Sequence, residues 1–338
     1  MTRDISALTR LISTRRGAPE IRSMQALHAY AKGDPKRLVY ERAPSPALGP
    51  GDVLVQVHAS GVSPGELDWP TAWLNHDGTP RTQPIVPGHE VAGVVGAVGP
   101  AVAGVAVGDE VFGFIDIRRD GADAELVAVR ADELAPKPTT LTFAEASSVP
   151  LSALTAWQAL FDQGKLAPGQ RVLIHGGAGG VGTFAVQLAR WRGARVAATS
   201  SSRDAAFVRD LGAEEVIDYR ATRFEDVVSD LDLVFDTVGA DTWDRSWAVL
   251  RRGGRLVSIA VPRPPDRESV DDRQAIWFVV KPDRGQLIEI GGLIDGGSLR
   301  PVVSDVMPLA RGGEAYGPAG RRGGPGKVVL LIADETGA

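Results

Sequence analysis

Gly177, Gly179 and Gly182 stand as G-x-G-x-x-G inside RVLIHGGAGGVGTFAVQLAR, residues 171–190. An apolar strand-like run precedes them and a helix-like run follows, the setting in which this motif becomes specific. Glycine lets the backbone turn tightly and approach a pyrophosphate. The following helix offers its unpaired N–H groups and the positive end of its dipole. The segment therefore predicts a dinucleotide site. The plainer alternative is a glycine-rich strand-to-helix turn that holds nothing. The tip of the next strand selects among dinucleotides. RVAATS ends in Ser200, and Ser201, Ser202 and Arg203 follow, with no acid before Asp204. An NAD site wants a carboxylate near that tip, and a carboxylate would repel a 2′-phosphate. Hydroxyls and a guanidinium attract one, so NADPH is the expected cofactor. Tyr219 and Arg220, after the next strand, either close over the same phosphate or are plain polar surface.

A second constellation lies in IVPGHEVAGVV, residues 85–95, where His89 and Glu90 are adjacent. A catalytic zinc of the dehydrogenase kind takes a thiolate, an imidazole and a third protein ligand, with one position left open. The chain has no cysteine, which removes thiolate ligands, disulfides and a cysteine nucleophile together. His89 would have to be completed by Glu90 and by Glu66 or Asp68. Otherwise it hydrogen-bonds substrate or holds a strand end.

The elements around these residues fall into two textures. From Met24 the chain reads as short strands: QALHAYA, LVYERAP, DVLVQVHASGV, VAGVVGAVG, DEVFGFI and AELVAVR. In DVLVQVHASGV, Val53, Val55 and Val57 share one face and Leu54, Gln56 and His58 the other, as in a half-buried strand. Glycine and proline punctuate these runs, which predicts an antiparallel barrel or sandwich. Near residue 144 helices begin, with Pro150 as a break or kink. RVLIHG, RVAATS, EVIDY, LDLVFDTVG and GRLVSIA then alternate with helical segments, which predicts a parallel sheet covered on both faces. From about 283 a helix, RGQLIEIGGLIDGG, leads to a closing strand, KVVLLIAD, that returns to the first domain. YGPAGRRGGPGK, 316–327, reads as a mobile surface loop. Residues 1–23 are rich in arginine and serine, faintly like an organelle transit peptide. They read as a disordered leader, or as the product of a start codon upstream of Met24.

The totals fit a globular chain of two domains. The chain has 338 residues, 43% hydrophobic and 23% charged, which allows two cores. The net charge of −5 gives no reason to expect nucleic acid or an anionic membrane. No apolar run approaches the ~18 residues of a membrane-spanning helix. The lack of cysteine fits the cytoplasm.

GHEVAGVVGAVGPAVAGVAVGDEVFGF, GADAELVAVRADELAPKP, LSALTAWQAL, HGGAGGVG, LGAEEVIDYR, DTVGA and RPVVSDVMPLARGGEAY occur in the order seen in the medium-chain dehydrogenase/reductase superfamily. The chain most resembles its zinc-independent quinone oxidoreductase branch, over roughly 24–335. The resemblance implies an α/β protein in two parts: a GroES-like β-barrel catalytic domain, residues 24–148 and 283–338, and a Rossmann doubly wound parallel sheet, residues 149–282. It also implies NADPH, a cleft between the domains, and a homodimer paired through the Rossmann domains. Gly179, Gly180, Val181 and Gly182 match the phosphate loop, with Gly177 opening it. Ser201 and Arg203, next to Ser200 at the strand tip, match the 2′-phosphate region, and Tyr219 falls where the family often places a tyrosine for the same phosphate. Thr155 matches a position beside the nicotinamide. Asp236 and Gly239 follow a strand near the cofactor, and Ile259, Ala260 and Val261 match a segment lining the nicotinamide. Ser63 stands where the branch usually has asparagine, and also where the zinc branch has its first thiolate. Leu151 stands at or beside the third zinc ligand.

Without a metal, the reaction must suit hydrogen bonds alone. Hydride addition to a quinone or to the β-carbon of an enone leaves a delocalised negative charge, which a few donors stabilise, while the cofactor carries the difficult chemistry. Reduction of an isolated ketone leaves a localised alkoxide and demands more. Quinone or enone reduction is therefore expected, with Ser63, His89 and Thr155 as candidate catalytic donors. Glu66, Trp69 and Trp73 are candidates for the substrate pocket, the tryptophans serving as flat walls unless they belong to the core. The rival expectations are a zinc-dependent alcohol dehydrogenase and a non-catalytic NADPH-binding protein.

Overall fold

A computed structural model of the chain describes residues 23–260, 269–317 and 324–333. The leader, Val261 and part of the 316–327 loop lie outside them. The chain divides into two compact units. One takes in the chain through Leu151, Pro282–Gly292 and the chain from Val303 onward; the other is Ser152–Lys281 with Leu293–Val302.

The first unit opens with a hairpin of β1 (Met24–Ala29) and β2 (Leu38–Ala43). Its main sheet uses β3 (Asp52–Gly61), β4 (Glu90–Val98), β5 (Glu110–Phe114), β6 (Leu126–Arg130) and β7 (Leu134–Pro136). Val53, Val55 and Val57 of β3 are fully buried beside Val91, Val95, Val111 and Val127. Each such side chain contributes roughly 1.5–3 kcal/mol by leaving water. Leu54, Gln56 and His58, on the other face, are only partly buried, the alternation that the pleat imposes. The strand phase ends at Thr142. Its side chain accepts from Glu145 N, and the Glu145 carboxylate accepts from Thr142 N. This reciprocal cap starts α1 (Phe143–Ser147). The chain then breaks at Ser148 and Val149, and Pro150 opens α2 (Pro150–Trp157). Proline suits that first position, where its missing N–H leaves nothing unpaired.

The second unit is built from β8 (Arg171–His175), α3 (Gly180–Trp191), β9 (Arg195–Ser200), α4 (Ala205–Leu211), β10 (Glu215–Asp218), β11 (Leu231–Asp236), α5 (Asp241–Ser246), β12 (Leu250–Ser258), β13 (Ser269–Val270) and β14 (Arg273–Trp277). The sheet order is β10-β9-β8-β11-β12-β14-β13. Every pairing is parallel except that of β13 with β14. In order of position along the chain, the six parallel strands run 3-2-1-4-5-6, with the reversal between β8 and β11. Ligands bind outside the carboxyl ends of such strands, beside that reversal. Leu173, Val234, Trp243, Trp247 and Leu256 are among the residues of its core.

Helix α6 (Arg284–Asp295), β15 (Val303–Pro308), α7 (Gly312–Tyr316) and β16 (Lys327–Leu331) complete the chain. The closing strand does return: β16 pairs antiparallel with the end of β3 and parallel with β15. Strand β3 is then paired along β4, with β6 beside its first half and β16 beside its end.

Candidate functional site

In the second unit, the carboxyl ends of five strands gather most of the residues that the sequence pointed to. Gly176 and Gly177 follow β8. Gly176 N donates to Thr199 Oγ1 at 3.0 Å and Gly177 N to Thr199 O at 2.9 Å, so the neighbouring strand pins the loop. Gly179 is the residue before α3, and no side chain caps that helix end; its first N–H groups are therefore those an anion would meet. Gly180 and Val181 form the first turn with Gly182. A side chain at Gly182 would run into Gly176 O, so only glycine lets the helix approach the loop this closely.

Strand β9 ends in Ser200. The Ser201 hydroxyl donates to Asp204 Oδ2 at 2.8 Å and Arg203 Nε to Asp204 Oδ1 at 3.1 Å. Burial works to raise the Asp204 carboxyl, but Ser201 and Arg203 outweigh it and hold it below the ordinary value. The Arg203 side chain is 72% exposed, so its guanidinium is free to turn toward a ligand. Tyr219, after β10, is 58% exposed, with the Arg220 guanidinium 5.4 Å from its ring centre. At the end of β11, Asp236 is fully buried and accepts from Val238 N, Gly239 N and Thr242 Oγ1, each at 3.0 Å. It shapes the turn at Gly239 through a single oxygen, Oδ1. Ile259 and Ala260 follow β12, and Ile259 N donates to Asp236 O at 3.2 Å. Thr155 is buried in α2.

The imidazole beneath the loop was not among the residues that the motifs singled out. His175 is fully buried, with Nδ1 3.3 Å from Thr199 Oγ1 and Nε2 3.1 Å from Ser246 Oγ. Burial pushes it down to about 4 against a modest pull from Asp236, so it is neutral at pH 7.

In the first unit the candidates separate into a network and a core. Glu66 is buried and accepts from Gly88 N at 2.5 Å and from the Tyr316 hydroxyl at 3.1 Å. The same hydroxyl lies 2.8 Å from Asp123 Oδ2. His89 is 1% exposed. Its Nε2 is 3.2 Å from Arg119 O, and its Nδ1 is 3.4 Å from Glu66 Oε1, within ion-pair reach though off the line of a good hydrogen bond. Both neighbours are acceptors, which suits an imidazolium. Burial opposes that charge, but Glu66 and the Arg119 carbonyl outweigh it and raise His89 above its usual value. Trp73 is buried in the core with Leu27, Leu67 and Ile85, and its Nε1 donates to Leu67 O at 2.9 Å. Trp69 packs partly buried against the same core. Ser63 is partly exposed and accepts a hydrogen bond from Lys327 Nζ at 3.0 Å.

The family profile described as "Alcohol dehydrogenase GroES-like domain" matches residues 49–139, and that described as "Zinc-binding dehydrogenase" matches residues 211–330. The zebrafish (Danio rerio) protein "NAD(P)H oxidoreductase RTN4IP1, mitochondrial" is 31% identical, over 90% of each chain. The chain belongs to the medium-chain dehydrogenase/reductase superfamily, in its zinc-independent quinone oxidoreductase branch. "NADPH-dependent alkenal/one oxidoreductase, chloroplastic" of Arabidopsis thaliana is 33% identical, covering 84% of this chain and 73% of that one. The solved "quinone oxidoreductase from Coxiella burnetii" superposes with a TM-score of 0.82 at 30% identity, over 92% of this chain and 99% of that one. This dehydrogenase/reductase is thus an oxidoreductase that binds a nicotinamide cofactor. Its first unit is the GroES-like barrel and its second the Rossmann sheet. Among the described residues, no helix is long and apolar enough to cross a membrane.

Family membership raises the question of zinc, and the donors present do not suit it. Leu151 has no ligating atom. Ser63 is a neutral hydroxyl bonded to an ammonium. His89 has its Nε2 3.2 Å from Arg119 O and its Nδ1 facing Glu66 at 3.4 Å, both acceptors of its own unit. Among the described residues no three His, Asp or Glu side chains cluster as a metal site.

Proposed function

We propose that the protein is an NADPH-dependent reductase that passes hydride to a quinone or to an α,β-unsaturated carbonyl without a metal. The observation that carries this reading is the use made of His89. The imidazole that zinc would require is already engaged by Arg119 O and Glu66, and no thiolate exists to replace it. Quinones and enones suit such a site because the charge left by hydride addition is delocalised, so ordinary donors suffice.

The bound nicotinamide supplies the hydride. The chain's own residues do the holding. Gly179, Gly180, Val181 and Gly182 would hold the pyrophosphate on the N-terminus of α3. Ser201, Arg203 and Tyr219 would hold the 2′-phosphate, with the phosphate taking over the donors that Asp204 now engages. The relative named for NADPH and alkenals or enones points the same way. We infer a homodimer, checked by light scattering, and a place in the cytoplasm, although some relatives are named mitochondrial or chloroplastic.

Metal content is the test. Protein purified without added zinc should carry far less than one zinc per chain. Near-stoichiometric zinc would overturn the metal-free reading.

A further inference from the structure

We propose that Lys327, acting through Ser63, supplies the fixed positive charge and the proton that stabilise the substrate oxygen, in the role that a metal would otherwise fill. This rests on the reductase reading above. The strand register makes the pair. Strand β16 runs against the end of β3 with Leu330 opposite Ser60 and Val329 opposite Gly61, and Val62 N donates to Val328 O at 2.9 Å. One further step sets Ser63 opposite Lys327, and Nζ donates to Ser63 Oγ at 3.0 Å. On the other edge of β3, Glu90 lies opposite Gly61. A side chain at Gly61 would crowd the Glu90 carboxylate and Ser147 O; glycine leaves the opening through which Glu90 Oε2 pairs with Lys327 Nζ. Glu90 Oε1 accepts from Leu151 N at 3.0 Å.

Stability alone does not account for this arrangement. Glu90 is 1% exposed and Lys327 7%. A buried ion pair loses so much hydration that apolar residues of the same volume are commonly as stable or more so. Lysine is also the odd residue in a strand otherwise composed of Val and Leu. Ser63, by contrast, is partly exposed. It accepts from the ammonium, so its own O–H is left to donate outward. The unit thus presents a hydroxyl at its surface with a compensated cation behind it.

The step balances with a reduced nicotinamide as hydride donor. As hydride bonds to the enone β-carbon, the alkene pair shifts and the carbonyl π pair moves onto oxygen. Ser63 O–H hydrogen-bonds that oxygen and passes its proton to it. A Lys327 N–H proton replaces the one lost from Ser63 Oγ, and the amine recovers its proton from water. One hydride and one proton are added, and the enol relaxes to the ketone. A quinone takes the same hydride and proton to become a hydroquinone.

The test pairs turnover with a probe that does not turn over. Lys327→Met alone would strand Glu90, so Lys327→Met is made together with Glu90→Gln. Ser63→Ala, which leaves the ion pair intact, is the second variant. The double variant should keep the wild-type NADPH dissociation constant and lose roughly 100-fold in kcat, the scale of removing one oxyanion donor. The companion probe is 4-nitrophenol, whose ionisation is read from its absorbance on the NADP⁺-loaded protein. Wild type should favour the bound anion, lowering its ionisation point by about one pH unit, a size that one nearby opposite charge commonly produces. Both variants should lose that shift. Lys327→Arg, which keeps the charge, should retain most of it. Wild-type turnover in the double variant, or the same nitrophenol ionisation in wild type and variants, would overturn the proposal. If wild type reduces neither quinone nor enone, the reductase reading fails on its own, and the nitrophenol shift still decides whether Lys327 stabilises an oxyanion at Ser63.

Discussion

Tyr316→Phe is expected to destabilise the first unit, and to do so more at high pH than at low. The phenol is fully buried and lies between two carboxylates, 2.8 Å from Asp123 Oδ2 and 3.1 Å from Glu66 Oε1. Burial and the Asp123 and Glu66 charges raise its own ionisation well above the ordinary value, so it remains a donor throughout. Asp123 is pushed from 3.8 up to about 7, chiefly by burial and then by the Glu66 charge, while the Ser60 hydroxyl, the hydrogen bond from Tyr316 and the His89 charge pull it down. The folded chain therefore holds a proton on Asp123 across about pH 4–7 that the unfolded chain releases. Stability falls as pH rises through that window, by about 4 kcal/mol at 1.36 kcal/mol per unit, and is level above it. At pH 8.5 wild-type Asp123 is ionised and the phenol serves a charged acceptor. Removing the phenol should then cost about 3 kcal/mol. At pH 5.5 Asp123 carries its own proton, and the loss should be about 1 kcal/mol. Urea unfolding at the two pH values measures the difference. With m near 2 kcal/mol/M, the shift in midpoint should be roughly 1 M larger at pH 8.5. An equal loss at both values, or none, would refute the shared-proton account.

Three further outcomes are expected. Arg203→Ala should weaken NADPH by about 10- to 100-fold, the worth of a charge-assisted hydrogen bond, and leave NADH nearly unchanged; equal loss of both in a binding titration would refute the 2′-phosphate assignment. Gly182→Ala sets a methyl against Gly176 O, so it should abolish measurable NADPH binding while most of the circular dichroism survives; wild-type affinity would show that the close approach is dispensable. His175, held near 4 by burial, lowers stability as pH falls from about 6.5 toward 4, because the unfolded chain takes up the proton first. His175→Gln should flatten that acid-side loss by up to about 3 kcal/mol, and an unchanged acid limb in the thermal unfolding of the variant would contradict it.

Local patterns carried the fold well. The alternation Val53, Val55, Val57 marked a strand with one buried face because the pleat repeats every two residues. The glycine loop was legible because strand, turn and helix are contiguous in it. The pairs that complete the first unit were not legible. Lys327 and Ser63 are 264 residues apart, and Tyr316 and Glu66 are 250 apart. Only the return of β16 to β3 brings the first pair together, and no local period encodes that register. The available signals were weak ones: a lysine heading an apolar strand, Glu90 beginning another, and Asp123 between two alanines. Glu66, read as a substrate contact, accepts from Gly88 N and Tyr316, and Trp73 packs in the core, because segments distant in the chain close over them.

The most direct measurement of the central claim is NADPH oxidation by protein treated with a strong chelator, assayed against ortho-quinones, para-quinones and short enones, with NADH run in parallel. The account predicts turnover of at least one of these classes, undiminished by chelation and faster with NADPH at low cofactor concentration. Activity that appears only when zinc is restored, or none with any acceptor despite tight NADPH binding, would contradict it.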